Sequence, residues 1–296
     1  MRILLTNDDG IRAPGIMALH RALVGKDGGA APLGDVYTVA PLTPQSATGH
    51  GITYHEPLMT SLAEVPSEIE GVAVDGRPAD CVKLALASLW QEHHDDDSLP
   101  ELVVSGMNAG ANCGINVIYS GTVAAAIEAA FLGIPSIAVS LHLGRGKPRF
   151  DIAAMHARRA IDRVLATGLL EPHSCININI PRCEEPGSIA PTPDTTFEVG
   201  PDVDEPIDLD AGLPIAVCPI NTHGINDRFE RRESPGSQVY YWPAGGGLDF
   251  HATDAGTDVE RLFARCITVT PLHFDLTDHS KSAAWQRALG QVQPSR

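Results

Sequence analysis

The chain has 296 residues, enough to bury the core of one large α/β domain or of one domain with an appendage. Its 37 acidic and 21 basic residues give a formal net charge of −16, which disfavours binding to nucleic-acid polymers and anionic membranes. A chain this acidic that handled a small phosphorylated ligand would need a bound cation to offset its own negative field.

The cysteines and the hydrophobic runs bear on the cellular compartment. The six cysteines are scattered and form no C-x-x-C pair, so we expect reduced, mostly buried thiols. The residues before Asn7 are too few for the apolar region of a signal peptide. No later stretch reaches the ~18 uninterrupted apolar residues of a membrane helix. We therefore expect a soluble, cytoplasmic protein with no membrane partner.

In the first half of the chain, short β-branched or apolar runs alternate with longer helical patterns. This alternation predicts βαβ units on a largely parallel sheet, which is a Rossmann-like three-layer α/β/α sandwich. In such a sheet, ligands bind beyond the carboxyl ends of the strands. The predicted strands are 3–6, 36–40, 102–104 and 136–139, and the predicted helices are 15–23, 79–90 and 123–132.

The second half is less regular. We expect a Rossmann-like core over 1–183, an irregular extension with hairpin excursions over 184–255, and a helix-strand-helix segment over 256–296. The last of these ends in an amphipathic helix that could pack on a second subunit. The predicted elements are a helix at 152–166, strands at 175–180, 239–242 and 266–270, a short helix from Thr257, and a helix at 280–291.

An acidic and histidine-rich run, EHHDDD, occupies residues 92–97. It could hold a metal ion, but charge runs of this kind lie on exposed faces more often than they bind ions. We expect a solvated loop here.

Asp8 and Asp9 directly follow the apolar residues 3–5, and Gly10 permits a sharp turn after them. Two adjacent carboxylates at a strand end favour a hard, oxygen-binding cation such as Mg²⁺, Mn²⁺ or Ca²⁺. The alternative is that one aspartate caps the next helix and the other is solvated. The dipeptide alone leaves both interpretations open.

A second polar cluster, SGMNAGAN at 105–112, follows the buried strand at 102–104. A neutral amide oxygen can complete a cation site, and glycine N–H groups can bind phosphate oxygens. The cluster matches neither the G-x-x-x-x-G-K-[ST] nor the G-x-G-x-x-G pattern, because its glycines at 106, 110 and 114 recur every four residues. This spacing argues against an ATPase and against a Rossmann dehydrogenase.

A third cluster, YSGT at 119–122, opens the apolar helix predicted at 123–132. Two hydroxyls and free backbone donors at a helix N-terminus form an anion site. The alternative, favoured for this motif alone, is a plain N-cap. The three clusters together are what metal-assisted hydrolysis of a phosphate ester requires.

The same motifs resemble the SurE family (survival protein E), whose members are 5′-nucleotidases. The resemblance spans nearly the whole chain, in order. It is carried by RILLTNDDGI at 2–11, APGI at 13–16, GRPADCV at 76–82, VSGMNAG at 104–110, VIYSGTV at 117–123, NINIP at 177–181 and TVTPL at 268–272.

The resemblance implies one divalent metal ion per subunit, Mg²⁺, Mn²⁺ or Ca²⁺, with Asp8 and Asp9 also catalytic. Departures from the family pattern at Leu42 and Ala47 make Ser46 the least secure ligand. Arg77 and the pair Ile115-Asn116 also depart from it and bear on substrate preference. The implied metal ligands are Asp8, Asp9, Ser46 and Asn108, and the implied phosphate-binding residues are Asn112, Ser120, Gly121 and Thr122.

The implied reaction converts a nucleoside 5′-monophosphate and water into nucleoside and phosphate. 3′-Nucleotides and short polyphosphate are further substrates compatible with contacts to the ester alone. The attacking group, water or a carboxylate, stays open, and His50 and His223 have no assigned role. The resemblance also implies a homodimer or a dimer of dimers with the C-terminal portion exchanged between subunits. The rival hypothesis is a non-catalytic nucleotide-binding regulatory protein on the same fold.

Overall fold

The structure is a computed structural model that describes residues 1–26, 30–63, 69, 71–185, 187–188, 212–244 and 248–290. Residues 186, 189–211 and 245–247 of the predicted irregular extension, and residue 291 at the end of the predicted C-terminal helix, lie outside this range. The strands are β1 (Arg2–Thr6), β2 (Asp35–Pro41), β3 (Met59–Leu62), β4 (Gly71–Asp75), β5 (Leu102–Ala109), β6 (Ser136–Leu141), β7 (Cys175–Ile180), β8 (Ile215–Val217), β9 (Phe229–Glu233), β10 (Val239–Pro243) and β11 (Ile267–Leu272).

The described helices flank these strands. A π-helical turn at Ala85–Leu89 joins the second helix to the third, and a 3-10 turn occupies Gly114–Ile118. The helices are α1 (Pro14–Leu23), α2 (Pro78–Leu84), α3 (Trp90–His94), α4 (Gly121–Phe131), α5 (Phe150–Ala166), α6 (Asp258–Phe263) and α7 (His279–Leu289).

Nine strands form one sheet in the order β3-β4-β2-β1-β5-β6-β7-β11-β8. The six strands from β4 to β7 in that order run parallel. At the edges, β3 pairs antiparallel with β4 and β11 pairs antiparallel with β7, while β8 runs parallel to β11. Parallel strands that are covered on both faces consist of consecutive apolar residues. β1 is such a strand, since Ile3, Leu4 and Leu5 are all fully buried.

The two faces of the sheet are covered by different helices. On one face α1 and α5 pack together over a core that includes Ile16, Leu19 and Ile161. On the other face α2 and α4 pack over Leu4, Val103 and Ala125. The predicted Rossmann-like three-layer sandwich is therefore confirmed.

The chain order reverses at the centre of the sheet. From β1 the chain proceeds outward to β2 and β4 on one side, and it then returns to β5, which lies on the other side of β1. The pair Thr6 and Ser105 marks the last register match between these two strands. A crevice at such a switch point is where open α/β sheets bind ligands, so the fold places a site beyond β1 and β5.

Two expectations from the sequence are corrected. Residues 184–255 were expected outside the core, but β8 pairs with β11 in the main sheet and Leu213 is buried in the core. The pairing of β8 with β11 joins segments that are distant in sequence, so no local sequence pattern predicts it. The described part of 184–255 also contains the β9–β10 hairpin.

The run at 92–97 is solvent-accessible as expected, with four of its six residues exposed, but its first half is helical and not a loop. It begins in α3, where the His93 ring stacks on buried Tyr37 with centroids 4.0 Å apart, and Asp96 accepts a hydrogen bond from Arg2. Aromatic partners on β2 and α3 supply a packing surface that a charge pattern does not reveal. Among the described residues, no group of three or more His, Cys, Asp or Glu side chains is placed to hold a metal ion.

All six cysteines are unpaired, and only Cys266 is not buried. Burial raises the pKa of the Cys81, Cys113, Cys175, Cys183 and Cys218 thiols. Among the described helices, none has the length and apolar character needed to cross a bilayer.

Candidate active site at the carboxyl ends of β1 and β5

Asp8 and Asp9 lie at the switch point, two and three residues beyond the end of β1. The Asn7 side chain closes the turn by donating from Nδ2 to the Gly10 carbonyl at 2.8 Å. Gly10 has a φ of 95°, a conformation that glycine adopts without steric cost. The tight turn directs both aspartates outward from the strand end.

Asp8 is held against the first turn of α4. The Thr122 hydroxyl donates to Asp8 Oδ1 at 2.5 Å, and the backbone N–H of Thr122 also stabilises the carboxylate. A methyl carbon at Gly121 would lie 2.9 Å from Asp8 Cβ and 3.1 Å from its Oδ2, so only glycine allows this approach. The carboxylate therefore lies at the positive end of a helix dipole.

Burial works against the charge of Asp8. The residue is only 6% exposed, and this desolvation, together with the nearby Asp9, raises the pKa of Asp8 to about 6 despite the hydrogen bonds from Thr122. A raised carboxyl pKa beside a second carboxylate indicates a site where the protein does not offset the negative charge with a positive group of its own.

Asp9 is oriented by β5. Its Oδ2 accepts a hydrogen bond from the Ala109 backbone N–H at 2.8 Å, and burial nevertheless raises the pKa of Asp9. The neighbouring Asn108 donates from Nδ2 to the Gly110 carbonyl at 2.7 Å. With its amino group so engaged, the oxygen of the Asn108 amide is the side-chain atom left to act as a ligand.

Ser46 lies in the irregular stretch after β2. The preceding Gln45 donates its backbone N–H to the Asp8 carbonyl at 2.8 Å, which brings this stretch beside the aspartates. Ser46 itself is exposed, and its side chain makes no hydrogen bond to any residue that the structure describes. The structure thus brings Ser46 near the site through the backbone without fixing its hydroxyl.

Ser120 is the N-cap of α4. Its side-chain oxygen accepts a hydrogen bond from the Val123 N–H at 3.0 Å, so the capping interpretation is correct. Capping uses only the acceptor of the hydroxyl and leaves its hydrogen free to donate to an anion. Thr122 differs, because its hydroxyl hydrogen is already directed to Asp8. Its role as a phosphate contact stays a prediction.

Asn112 is buried in a network of amides. Its backbone N–H donates to Asn179 Oδ1 at 2.8 Å, and its carbonyl accepts from Asn177 and Asn179 at 2.8 and 3.1 Å. Its own Nδ2 donates to Ser140 at 2.8 Å. The contacts fix the loop between β5 and α4, and contact of Asn112 with phosphate stays a prediction.

Sequence reasoning missed the residues that support this loop. Asn177 and Asn179 alternate with isoleucines along β7, and alternating asparagines in a buried strand were the available signal. Asp258 was also missed, because no local sequence pattern marks it. It accepts from the backbone N–H groups of Gly114 and Asn221 at 2.7 and 2.8 Å, joining the loop to the C-terminal segment.

The three unassigned residues lie in different places. Arg77 packs at the start of α2, where a methyl carbon at Gly51 would meet its guanidinium at 2.2 Å. His50 contacts α4 through Glu128. His223 pairs with Asp254 at 3.0 Å in the C-terminal segment.

The fold and the site together define a doubly wound α/β protein with paired acidic residues at its switch point. The family model described as "Survival protein SurE" matches residues 3–196. The chain belongs to the SurE family, as its sequence motifs predicted.

Relatives are similar over nearly their whole length. A protein named 5′-nucleotidase SurE from Heliobacterium modesticaldum is 41% identical over 95% of this chain and 89% of its own. One of the same name from Rhodopirellula baltica is also 41% identical and covers 94% of both chains. The crystal structure of the SurE protein from Aquifex aeolicus has a TM-score of 0.72 and 31% identity, with 98% of this chain and 100% of that chain covered.

We predict that Asp8→Asn stabilises the metal-free protein at pH 8. Burial raises the pKa of Asp8 from 3.8 to about 6. The contribution of Asp8 to the free energy of unfolding is therefore fully present below pH 3.8, where the carboxyl is protonated, and is lost as the pH rises through 6. Removing the buried charge should gain roughly 1–3 kcal/mol, or a few degrees in Tm. Thermal unfolding in EDTA at pH 8 and pH 4 should show the gain only at pH 8.

The matched control is Asp75→Asn, which changes an exposed carboxylate at the end of β4. It should leave the Tm unchanged at both pH values. A lower Tm for Asp8→Asn than for the wild type at pH 8 would show that the contact with α4 outweighs the cost of burial.

Proposed function

We propose that this chain is a metal-dependent 5′-nucleotidase, a phosphoric monoester hydrolase that converts nucleoside 5′-monophosphates to nucleoside and inorganic phosphate. The observation that carries the proposal is the pair of largely desolvated carboxylates, Asp8 and Asp9, beside the N-terminus of α4. Relatives at 41% identity are named 5′-nucleotidase SurE, which supports the same activity here.

The donor set fits one divalent cation. Asp8 and Asp9 would supply two anionic oxygens, and Asn108 and Ser46 two neutral ones, which is the oxygen-rich chemistry that Mg²⁺, Mn²⁺ and Ca²⁺ prefer. The raised pKa values of both aspartates support a cation, because positive charge would favour their ionised forms. When bound, such an ion supplies Lewis-acid polarisation of a phosphoryl group.

The chain itself would bind the phosphate at the start of α4. The Ser120 hydroxyl keeps its hydrogen for a phosphate oxygen while its oxygen caps the helix. The helix dipole favours an anion at the same place. Asn112, held by its amide network, lies on the loop that leads from β5 to α4 and would supply a further contact. These contacts bind the ester and orient it toward Asp8 and Asp9.

The same contacts define the range of substrates. Hydroxyl and amide groups at this position, together with the cation that Asp8 and Asp9 would hold, would contact a phosphate ester and not a particular base. We therefore extend the proposal to 3′-nucleotides and short polyphosphate as secondary substrates of the same site.

Release of inorganic phosphate from a panel of nucleotides, with and without Mn²⁺ or Mg²⁺, tests the proposal. Activity should require the metal, and Asp9→Asn should lower kcat by orders of magnitude, because it removes a ligand charge. Asp75→Asn is the matched control and should retain wild-type turnover. Nucleotide binding without phosphate release under any metal would instead support the non-catalytic regulatory protein.

Replacing both Ser120 and Thr122 with alanine separates phosphate binding from helix capping. Loss of a hydrogen bond to a charged group costs ~1.5–3 kcal/mol, so kcat/KM should fall by at least tenfold while residual binding to backbone N–H groups persists. Loss of the cap alone costs ~1 kcal/mol and shows in the Tm. A double variant with a lower Tm but wild-type kcat/KM would show that the hydroxyls do not contact substrate.

We also propose that the chain forms a homodimer, or a dimer of dimers, with C-terminal elements exchanged between subunits. The β9–β10 hairpin exposes Phe229, Tyr241 and Trp242, and the described part of α7 contains no buried residue. Exposed apolar groups of this kind mark interaction surfaces. Light scattering should give at least twice the monomer mass, and a concentration-independent monomer would refute the proposal.

A further inference from the structure

His50 links the stretch after β2 to helix α4. We define residues 42–53 as the Ser46 loop. The Nε2 atom of His50 lies 2.7 Å from Glu128 Oε2, and because an ionised carboxylate only accepts, the imidazole donates. The His50 ring also stacks on Phe131, with centroids 5.2 Å apart and an interplanar angle of 11°. Both partners belong to the C-terminal half of α4.

Glu128 provides a firm attachment point. Its side chain is 6% exposed and also accepts from Lys83 at 3.1 Å. Burial alone would raise the pKa of Glu128, but the hydrogen bonds from His50 and Lys83 outweigh it and hold the pKa below its ordinary value. The carboxylate is thus a buried, charged acceptor on the helix whose first turn contacts Asp8. Charge-assisted hydrogen bonds of this kind are stronger than neutral ones.

Other contacts hold the loop on either side of Ser46. Before it, the Gln45 N–H donates to the Asp8 carbonyl at 2.8 Å. After it, the Gly49 N–H donates to the Tyr119 carbonyl at 3.1 Å, and Thr53 donates to buried Asp80 through both N–H and hydroxyl. Ser46 lies on a short span between these attachments and has no side-chain hydrogen bond within the described chain.

We propose that His50 is a positioning residue that holds Ser46 in place as a metal ligand by fixing the Ser46 loop to Glu128 of α4. Asp8 and Asp9 are oriented by hydrogen bonds from α4 and β5, whereas Ser46 depends on its loop. The hydrogen bond from His50 to Glu128 fixes the position of the Ser46 loop relative to α4. The Ser46 hydroxyl therefore stays in place relative to the carboxylates of Asp8 and Asp9. The inference rests on the proposed metal-dependent function.

Three variants of the full-length protein test it. His50→Ala removes the tether, while Lys83 still pairs with Glu128, so no buried charge is left unpaired. His50→Gln retains an N–H donor for Glu128. His55→Ala is the matched control, since His55 lies two residues beyond the Ser46 loop, is exposed and has no hydrogen bond to the described residues.

Two readouts apply, and only one concerns the metal. Hydrogen exchange of the amides at 45–50 in metal-free protein should speed up in His50→Ala. Mn²⁺ titrated against each protein and followed by electron paramagnetic resonance should bind about tenfold more weakly to His50→Ala, which corresponds to about 1.4 kcal/mol. His50→Gln should recover most of both effects, and His55→Ala should match the wild type.

The outcomes separate this inference from the proposed function. Wild-type Mn²⁺ affinity in His50→Ala, with or without a lower Tm, would refute the tether while leaving the nucleotidase proposal intact. Unchanged exchange at 45–50 would also refute it. A wild-type protein that binds no Mn²⁺ and releases no phosphate would refute the proposed function and this inference together.

Discussion

The contact between Asp8 and the first turn of α4 is the interaction on which the site depends. It joins the carboxyl end of β1 to the helix that follows β5, across the point where the chain order reverses. Glycine at 121 is required because Asp8 lies where a side chain would begin. The contact places Asp8 beside the turn that we propose binds phosphate, while hydrogen bonds from Ala109 to Asp9 and from Gln45 to the Asp8 carbonyl hold the second carboxylate and the loop after β2 nearby.

The arrangement sacrifices stability for a charged site. Burial disfavours the ionised forms of both aspartates, and the hydrogen bonds from Thr122 and Ala109 only partly offset that cost. Residues further out stabilise the surrounding loops instead. Asn177 and Asn179 donate hydrogen bonds to the Asn112 carbonyl, so satisfied hydrogen bonds order this uncharged loop. Strained or costly groups supported by a satisfied surrounding network are typical of functional sites.

Much of the central architecture could be predicted from local patterns. The apolar residues 3–5, followed by polar residues, predict that Asp8 and Asp9 lie at a strand end. The apolar composition after Ser120 predicts the helix there. Strands β3, β4, β8 and β9 were not predicted. β8 is three residues long and depends on pairing with β11, which is distant in sequence.

The details of the site were harder to predict because they depend on tertiary contacts. A motif shows that Ser120 can cap and that Thr122 has a hydroxyl, but not that Thr122 donates to Asp8. The histidine at 50 and the glutamate at 128 are 78 residues apart, and only the packing of a loop on α4 brings them together. Such pairs have no signature in a single sequence.

An anomalous difference map from crystals of the protein soaked in Mn²⁺ would show directly whether the two aspartates hold a metal ion. We expect one strong peak per subunit within about 2.5 Å of carboxylate oxygens from both Asp8 and Asp9. The amide oxygen of Asn108 and the hydroxyl of Ser46 should complete the protein ligands. A map with no peak between the two aspartates, or with its only strong peak elsewhere on the chain, would contradict this expectation.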